Sequence, residues 1–356
     1  MSPRISLLAA SLLLSLVAVA CSDDDADDTS AASSSASSSG SGSGSGAAGA
    51  AGPGGAGPGG MGSSTGAAGG SGATGGSAGG GGAAPVIDYC AACADGAKLA
   101  DVVSEDITEA SGIAFSALHP GVFWTHNDSG DTPRFFAVEA QTGADLGSWP
   151  VIGSIANDWE DMARGPCPGG SCLYLGDIGN NAMSASKPYA IYRVAEPGDV
   201  GDGGQANADA LPFAYPSGYP NSETLLVHPI TGVITLVTKV RSGPSGVFEM
   251  PMPLTPDVEA TLVDKGTVSP LMGNNTFTSG DVHPQGLGVL LRTYTHTFFF
   301  AATPDQSVAD ALAGVPCVVP NAGGGEAVGW LPDGSGWGGL PEGETPPITT
   351  VACAAP

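Results

Sequence analysis

Asn157-Asp158-Trp159-Glu160-Asp161-Met162-Ala163 reads as an acidic turn running into a short apolar strand. Thirteen residues later Gly176-Asp177-Ile178-Gly179-Asn180-Asn181 ends a second strand in another Asp/Asn/Gly turn. Versions of this unit recur. Ser111-Gly-Ile-Ala-Phe-Ser leads to His119-Pro120, Glu160-Asp-Met-Ala to Gly165-Pro166, and Glu223-Thr-Leu-Leu-Val to His228-Pro229. Thr278-Ser-Gly-Asp-Val leads to His283-Pro284, and Glu326-Ala-Val-Gly-Trp to Leu331-Pro332-Asp333-Gly334. The five starts lie 48 to 63 residues apart, the signature of a repeat architecture.

Each unit continues in β-branched and aromatic runs bounded by Gly, Pro, Asn and Asp, such as Val122-Phe-Trp-Thr, Tyr189-Ala-Ile-Tyr and Val233-Ile-Thr-Leu-Val. Only Ser307 to Leu312 looks like a helical turn. Three or four strands per unit, repeated five times, predict an all-β fold, a β-propeller. The last unit, from Glu326, has only 31 residues. The segment near Ala97 to Ile107 is therefore expected to complete its sheet, closing the ring with strands from both ends. Five blades follow, or six if that segment belongs to a further blade.

The motifs Ser111-Gly-Ile-Ala, Trp124-Thr-His-Asn-Asp-Ser-Gly, Asp158-Trp-Glu-Asp-Met-Ala, Gly176-Asp-Ile-Gly-Asn-Asn, Glu223-Thr-Leu-Leu-Val and Gly325-Glu-Ala-Val-Gly-Trp resemble those of exported bacterial propeller proteins without an assigned activity. More loosely they are similar to propellers grouped with the esterase-like domain of phytases. The resemblance spans Glu109 to Pro332 and implies the fold. It implies no settled activity. The chain departs from the pattern after Asp333, where Ser335-Gly-Trp-Gly-Gly-Leu-Pro-Glu-Gly is rich in glycine.

Ahead of the propeller, residues 1–20 read as an export signal: Arg4, an apolar run from Ile5 to about Val19, and Ala18-Val19-Ala20 before Cys21. A Cys in that position resembles the bacterial lipobox, which implies a lipidated Cys21, membrane attachment through that lipid, and an outer-membrane lipoprotein facing the periplasm or the cell surface. Residues 21–85 are Ser, Gly and Ala after an aspartate cluster. Such a segment has too little apolar surface to fold and reads as a flexible tether. Residues 86–356 form the propeller domain, expected to be monomeric.

Net charge is −25. With so few clustered cations, nucleic acid is excluded as a partner. Six cysteines remain beyond Cys21, an even number that suits disulfides in an exported chain. Cys167-Pro-Gly-Gly-Ser-Cys172 is expected to close on itself and Cys317 to pair with Cys353. Cys90 and Cys93 then pair locally or with a remaining partner.

In a propeller blade, the turn entering the inner strand and the turn between the second and third strands share one face, and the His-Pro turns share the other. Asp158, Glu160, Glu223, Asp281 and Glu326 thus fall at or near inner-strand starts around the central channel. Asn127, Asp128, Asp177, Asn180, Asn181, Lys239, Arg241 and Arg292 fall on the same rim. Crowded oxygen ligands suit a hard cation such as Ca²⁺. The expected metal set is Asp158, Glu160, Asp177, Glu223, Asp281 and Glu326, with Asn127, Asp128, Lys239, Arg241 and Arg292 contacting a ligand. The alternative is that these Asp and Asn side chains cap turns, the reading favoured for Asn180 and Asn181. His119, His228 and His283 read as structural, while His126 and His296 fall on the acidic rim.

No nucleophile elbow, P-loop or zinc-protease helix is present in the sequence. Two functions are compatible. One is a lipid-anchored module binding a surface glycan or peptide through a Ca²⁺-holding rim. The other is a metal-dependent phosphoesterase or esterase, with Lys239, Arg241 and Arg292 neutralising a small phosphorylated ligand.

Overall fold

The computed structural model describes residues 87–273 and 276–354. The expected signal peptide, the lipidated Cys21 and the tether lie outside these residues. Within them the chain is a five-bladed β-propeller with one short helix. Strand β1 (Ala97–Asp101) stands apart at the start. Blade 1 is β2 (Ala110–Phe115), β3 (Val122–Asn127), β4 (Arg134–Glu139) and β5 (Asp145–Ile152). Blade 2 is β6 (Trp159–Cys167), β7 (Gly170–Asp177), β8 (Tyr189–Ala195) and β9 (Ala206–Ala214). Blade 3 is β10 (Ser222–Val227), β11 (Ile234–Thr238) and β12 (Ser245–Glu249), then, past the two-residue β13 (Ala260–Thr261), β14 (Val263–Val268). Blade 4 is β15 (Phe277–Val282), β16 (Gly288–Thr293), β17 (Thr297–Ala301) and, after helix α1 (Val308–Leu312), β18 (Cys317–Val319). Blade 5 is β19 (Ala327–Trp330), β20 (Gly336–Leu340) and β21 (Pro347–Ala352), with β1 as its outer strand.

The inner strands β2, β6, β10, β15 and β19 neighbour one another in that order, and β19 returns to β2. Each is flanked by two other blades, so β2 and β10 are buried at every position, whereas the outer strand β14 is mostly exposed. Burial on both faces is why these strands do not alternate between apolar and polar residues, and why their polar side chains, such as Glu223 and Ser279, are themselves buried. Strand β1 pairs antiparallel with β21, as the short last unit requires.

Near its start, each of the first four inner strands breaks register against its neighbour. The shifts lie between Ala110 and Gly112, Trp159 and Met162, Ser222 and Thr224, and Phe277 and Ser279. An extra residue in one strand of a pair is left out of the ladder and its side chain is re-aimed. The displaced positions include Ser111, Glu160, Glu223 and Thr278, the first residues of four sequence repeats. Glu326 directly precedes β19 and takes the corresponding place in blade 5. The sequence register therefore coincides with a structural device at one mouth of the channel.

Two buried charged side chains tie blades together. Asp161 accepts hydrogen bonds from Met162 N at 3.0 Å, Leu225 N at 3.0 Å, Ser279 Oγ at 3.0 Å and Gly280 N at 3.2 Å. Blades 2, 3 and 4 thus meet on one carboxyl group. Arg292 donates to the carbonyls of Gly323 at 2.6 Å, Gly325 at 2.9 Å, and Ala322 and Ala327 at 3.3 Å each, joining blade 4 to blade 5. The glycine-rich stretch after Asp333 builds a regular β20. A Cβ on Gly338 would strike the Phe115 ring and one on Gly339 would meet Arg292 Nη1, so these glycines let blade 5 close against its neighbours.

Disulfides complete the closure. Cys167 pairs with Cys172 as expected. Cys317 does not pair with Cys353: it bonds Cys90, while Cys353 bonds Cys93. The Cys90-Ala-Ala-Cys93 turn lies between β18 and the end of β21 and staples the N-terminal segment to both blades. Beside it Tyr89 OH bonds His283 Nε2 at 2.7 Å and donates to Gly334 O at 2.8 Å, with its ring 5.0 Å from those of Phe299 and Trp330.

Candidate functional site

The mouth at the inner-strand starts gathers carboxyl groups. Asp128 follows β3, Asp158 precedes β6, and Glu160 is its bulged second residue. One oxygen from each lies within 4.8 Å of the others. Glu160 is 2 % exposed, and its Oε1, like Asp128 Oδ1, meets no hydrogen-bond partner among the described residues. A buried, unpartnered carboxylate costs several kcal/mol unless it is protonated or met by a cation. Burial pushes the Glu160 carboxyl well above its usual range, helped by the charges of Glu223 and Asp128. Burial and the neighbouring Asp158 raise Asp128 to about 7. Asp158 is also raised by burial, with Lys187 pulling against it.

The second turn packs its backbone closely over these groups. A Cβ on Gly179 would collide with Glu160 Oε1 and the Asp158 carboxyl. Gly179 N donates to Asp158 O at 3.2 Å, so the glycine lets the turn lie directly over the carboxyl groups.

The remaining rim residues divide by partner. Glu223 is buried and ion-paired to Lys239 at 2.5 Å, and Lys239 donates to Tyr294 OH at 2.7 Å. Burial raises Glu223 to about 7 against the pull of Lys239. Glu326 faces Glu342, which burial and Glu326 push up to about 8. Asp177 is spent on Asn157 N, Asn157 Nδ2 and Asp158 N, with Lys187 Nζ at 3.1 Å, and stays outside the oxygen cluster. It positions the turn that carries Asp158.

Several expected rim residues do other work. Asp281 lies at the far end of β15, where its oxygens accept from Val282 N and Trp330 N at 2.8 Å each. Thr278 holds the rim position in that blade, because Asp281 comes three residues further along the strand, next to its last residue, Val282. Arg292 is wholly engaged with carbonyls and cannot meet a ligand. Asn127 accepts from Thr108 N and Glu109 N and donates to Asp106 O and Asp131, shaping the loop before β2. Asn180 caps its own turn through Ser184 N and Tyr189 OH, and Asn181 accepts from Asn221. Arg241 is exposed and makes no ion pair among the described residues. His126 is fully buried and held neutral by that burial, edge-on to Trp159. His296 is on the rim, its Nδ1 2.8 Å from Thr295 Oγ1. His228 and His283 each accept backbone N–H groups of the turn that follows them, and His119 Nε2 meets Pro197 O, so all three are structural.

Sequence reasoning missed Glu342, Lys187 and Asp161. Glu342 follows a glycine-rich strand with no repeat register. Lys187 comes from the long turn after Asn181. Asp161 sits inside the opening motif and was legible as an acid, but only the ring closure shows that it spans three blades.

The mouth therefore holds Asp128, Asp158, Glu160, Glu223, Glu326 and Glu342 against Lys187 and Lys239. Its least compensated corner is Asp128 and Glu160, beside Asp158, which Lys187 Nζ meets at 3.5 Å. Three hard oxygen donors this close together suit a hard divalent cation.

No protein-family model matches the chain, and no curated protein matches it by sequence. Among solved structures, the chain is similar to Kuenenia stuttgartiensis hydrazine synthase, at 12 % identity and a TM-score of 0.39 over 71 % of this chain and 98 % of that one. It is also similar to XC5397 from Xanthomonas campestris, described as a gluconolactonase, at 11 % identity and a TM-score of 0.39 over 76 % and 98 %. The three disulfides belong with an oxidising, extracytoplasmic compartment. Among the described residues no helix is long and apolar enough to cross a membrane.

Proposed function

We propose that this chain is an extracytoplasmic binding module whose propeller holds Ca²⁺ at Asp128, Asp158 and Glu160 and uses the metal to engage a surface glycan or peptide. The single observation that carries this reading is the buried Glu160 Oε1, without a partner among the described residues, beside two further carboxyl groups. Lipidation of Cys21 would attach the module to the outer membrane, and the tether would hold the rim clear of the headgroups. The phosphoesterase alternative keeps the phytase-like resemblance and has less support from its cations. Of its three cations, Arg292 is spent on carbonyls and Lys239 on Glu223, leaving Arg241 alone.

Calorimetry on the EDTA-treated chain tests the metal. One equivalent of Ca²⁺ is expected to bind with Kd of roughly 10⁻⁴ to 10⁻³ M, the range of extracellular sites. At a Ca²⁺ concentration about 100-fold above Kd the gain is about 2.7 kcal/mol, a melting shift of roughly 5–10 °C. Glu160→Gln is expected to abolish both signals. Absence of heat and of any melting shift with Ca²⁺ overturns the reading.

A further inference from the structure

The opposite mouth of the channel contains a cavity of about 380 Å³, within the range of small-molecule sites. It is bounded by the ends of β2, β6, β15 and β19 and by the turn after β10, so every blade contributes to it. Proline turns and the Phe115 ring form much of its wall.

Arg164 lines this cavity. In a chain of net charge −25 it makes no ion pair among the described residues, and its Nε donates to Phe115 O at 3.1 Å. The other described cations are committed, apart from the exposed Arg241. Lys98, Arg134, Lys187, Arg193, Lys239 and Lys265 are ion-paired, and Arg292 is held by carbonyls. Ser171 and Trp330 also line the cavity, and their Oγ and Nε1 are buried donors with no partner among the described residues. Asp281 lines the same space, with Arg164 a charged neighbour that lowers its pKa but no ion pair between them. The cavity thus combines unspent donors with one carboxylate not ion-paired to them, a pattern that matches a ligand with an anionic end and a donor end. A guanidinium binds a carboxylate through two parallel hydrogen bonds. A phosphate would ask for more positive charge than one arginine supplies.

We propose that this cavity binds a short-chain carboxylic acid bearing a neighbouring hydroxyl or ammonium group, its carboxylate on Arg164 with Ser171 and Trp330 as further donors, and its hydroxyl or ammonium on Asp281. The site is independent of the acidic mouth and needs no metal.

The test titrates the full chain in EDTA with sodium L-lactate, L-alanine, sodium acetate and 1-propanol, read by calorimetry and by tryptophan fluorescence. Lactate or alanine is expected to bind at least about fivefold more tightly than acetate, with no binding of 1-propanol. A preference for lactate assigns a hydroxy acid and one for alanine an amino acid. Arg164→Gln is expected to weaken binding by at least about tenfold, and Trp330→Phe, which keeps the ring and removes the N–H, by roughly three- to tenfold. Asp281→Asn should bring the preferred probe down towards acetate. The proposal is overturned if neither lactate nor alanine binds below about 10 mM, if 1-propanol binds as well as either, or if Arg164→Gln binds within about twofold of the unaltered chain. Should Arg164→Gln fail to fold, Arg164→Lys, which keeps the charge but loses the paired geometry, is read by the same criterion.

Discussion

The two mouths of the channel are built from the same five strands and differ in almost everything else. At the strand starts of four blades, bulges displace side chains out of the ladder, Glu160 and Glu223 among them, and Glu326 takes the corresponding place in the fifth. At the strand ends the ladders are regular and the chain turns through prolines, with histidine rings accepting the turn N–H groups. The first mouth concentrates charge that the protein's own atoms do not satisfy. The second concentrates backbone order and leaves one arginine and one aspartate facing a cavity. Irregular pairing and regular pairing thus produce two kinds of site on one scaffold. Between them lies the Asp161 layer, which belongs to neither.

The sharpest way to break this division is at that layer. Asp161→Ala leaves Met162 N, Leu225 N and Gly280 N without their acceptor in a buried ring, at a cost of about 3–5 kcal/mol or loss of folding. Urea unfolding measures it. A loss below about 1 kcal/mol would mean that the blades are held together without this carboxyl group.

Next comes the acidic mouth. In EDTA at pH 8, Glu160→Gln is expected to stabilise the chain by about 1–3 kcal/mol, since it removes a buried charge that has no partner. Equal melting temperatures of variant and parent at pH 8 would show that Glu160 is already compensated.

The third prediction concerns the far mouth. Asp281 is raised to about 7 in the folded chain, mainly by burial, with Arg164 the charged group facing it and lowering it. The folded state therefore holds this proton where the unfolded state has released it. Stability from Asp281 is fully present below about pH 4 and is lost as pH rises to about 7, by on the order of 2 kcal/mol after discounting for partial exposure. Asp281→Asn is expected to remove this part of the pH dependence in a melting series from pH 4 to 8. An unchanged slope would reassign it to the acidic mouth.

Much of the fold was legible because the repeat signal was the bulge signal. Ser111, Glu160, Glu223, Thr278 and Glu326 stand first in their units, and four of them fall where the strand pairing shifts. Strand count and ring closure by both termini followed from the same alignment. The site was harder, because residue type does not say whether an oxygen is spent. Asp177 and Asp158 look alike in sequence and share Lys187, yet one is consumed by Asn157 and the Asp158 N–H while the other lies with Asp128 and Glu160. Arg292 looked available for a ligand and is enclosed by carbonyls from the neighbouring blade. The Cys317–Cys353 expectation failed for a related reason: it joined the two last blades directly, while the chain joins each to its own beginning.

That joining has a consequence in time. A chain made from its N-terminus presents Cys90 and Cys93 together, two residues between them, more than 220 residues before either true partner exists. Each is then the other's nearest thiol, and β1 has no sheet to join until β21 is complete. Four blades must assemble around an open seam, so correct pairing depends on keeping two adjacent thiols apart until the last strand arrives.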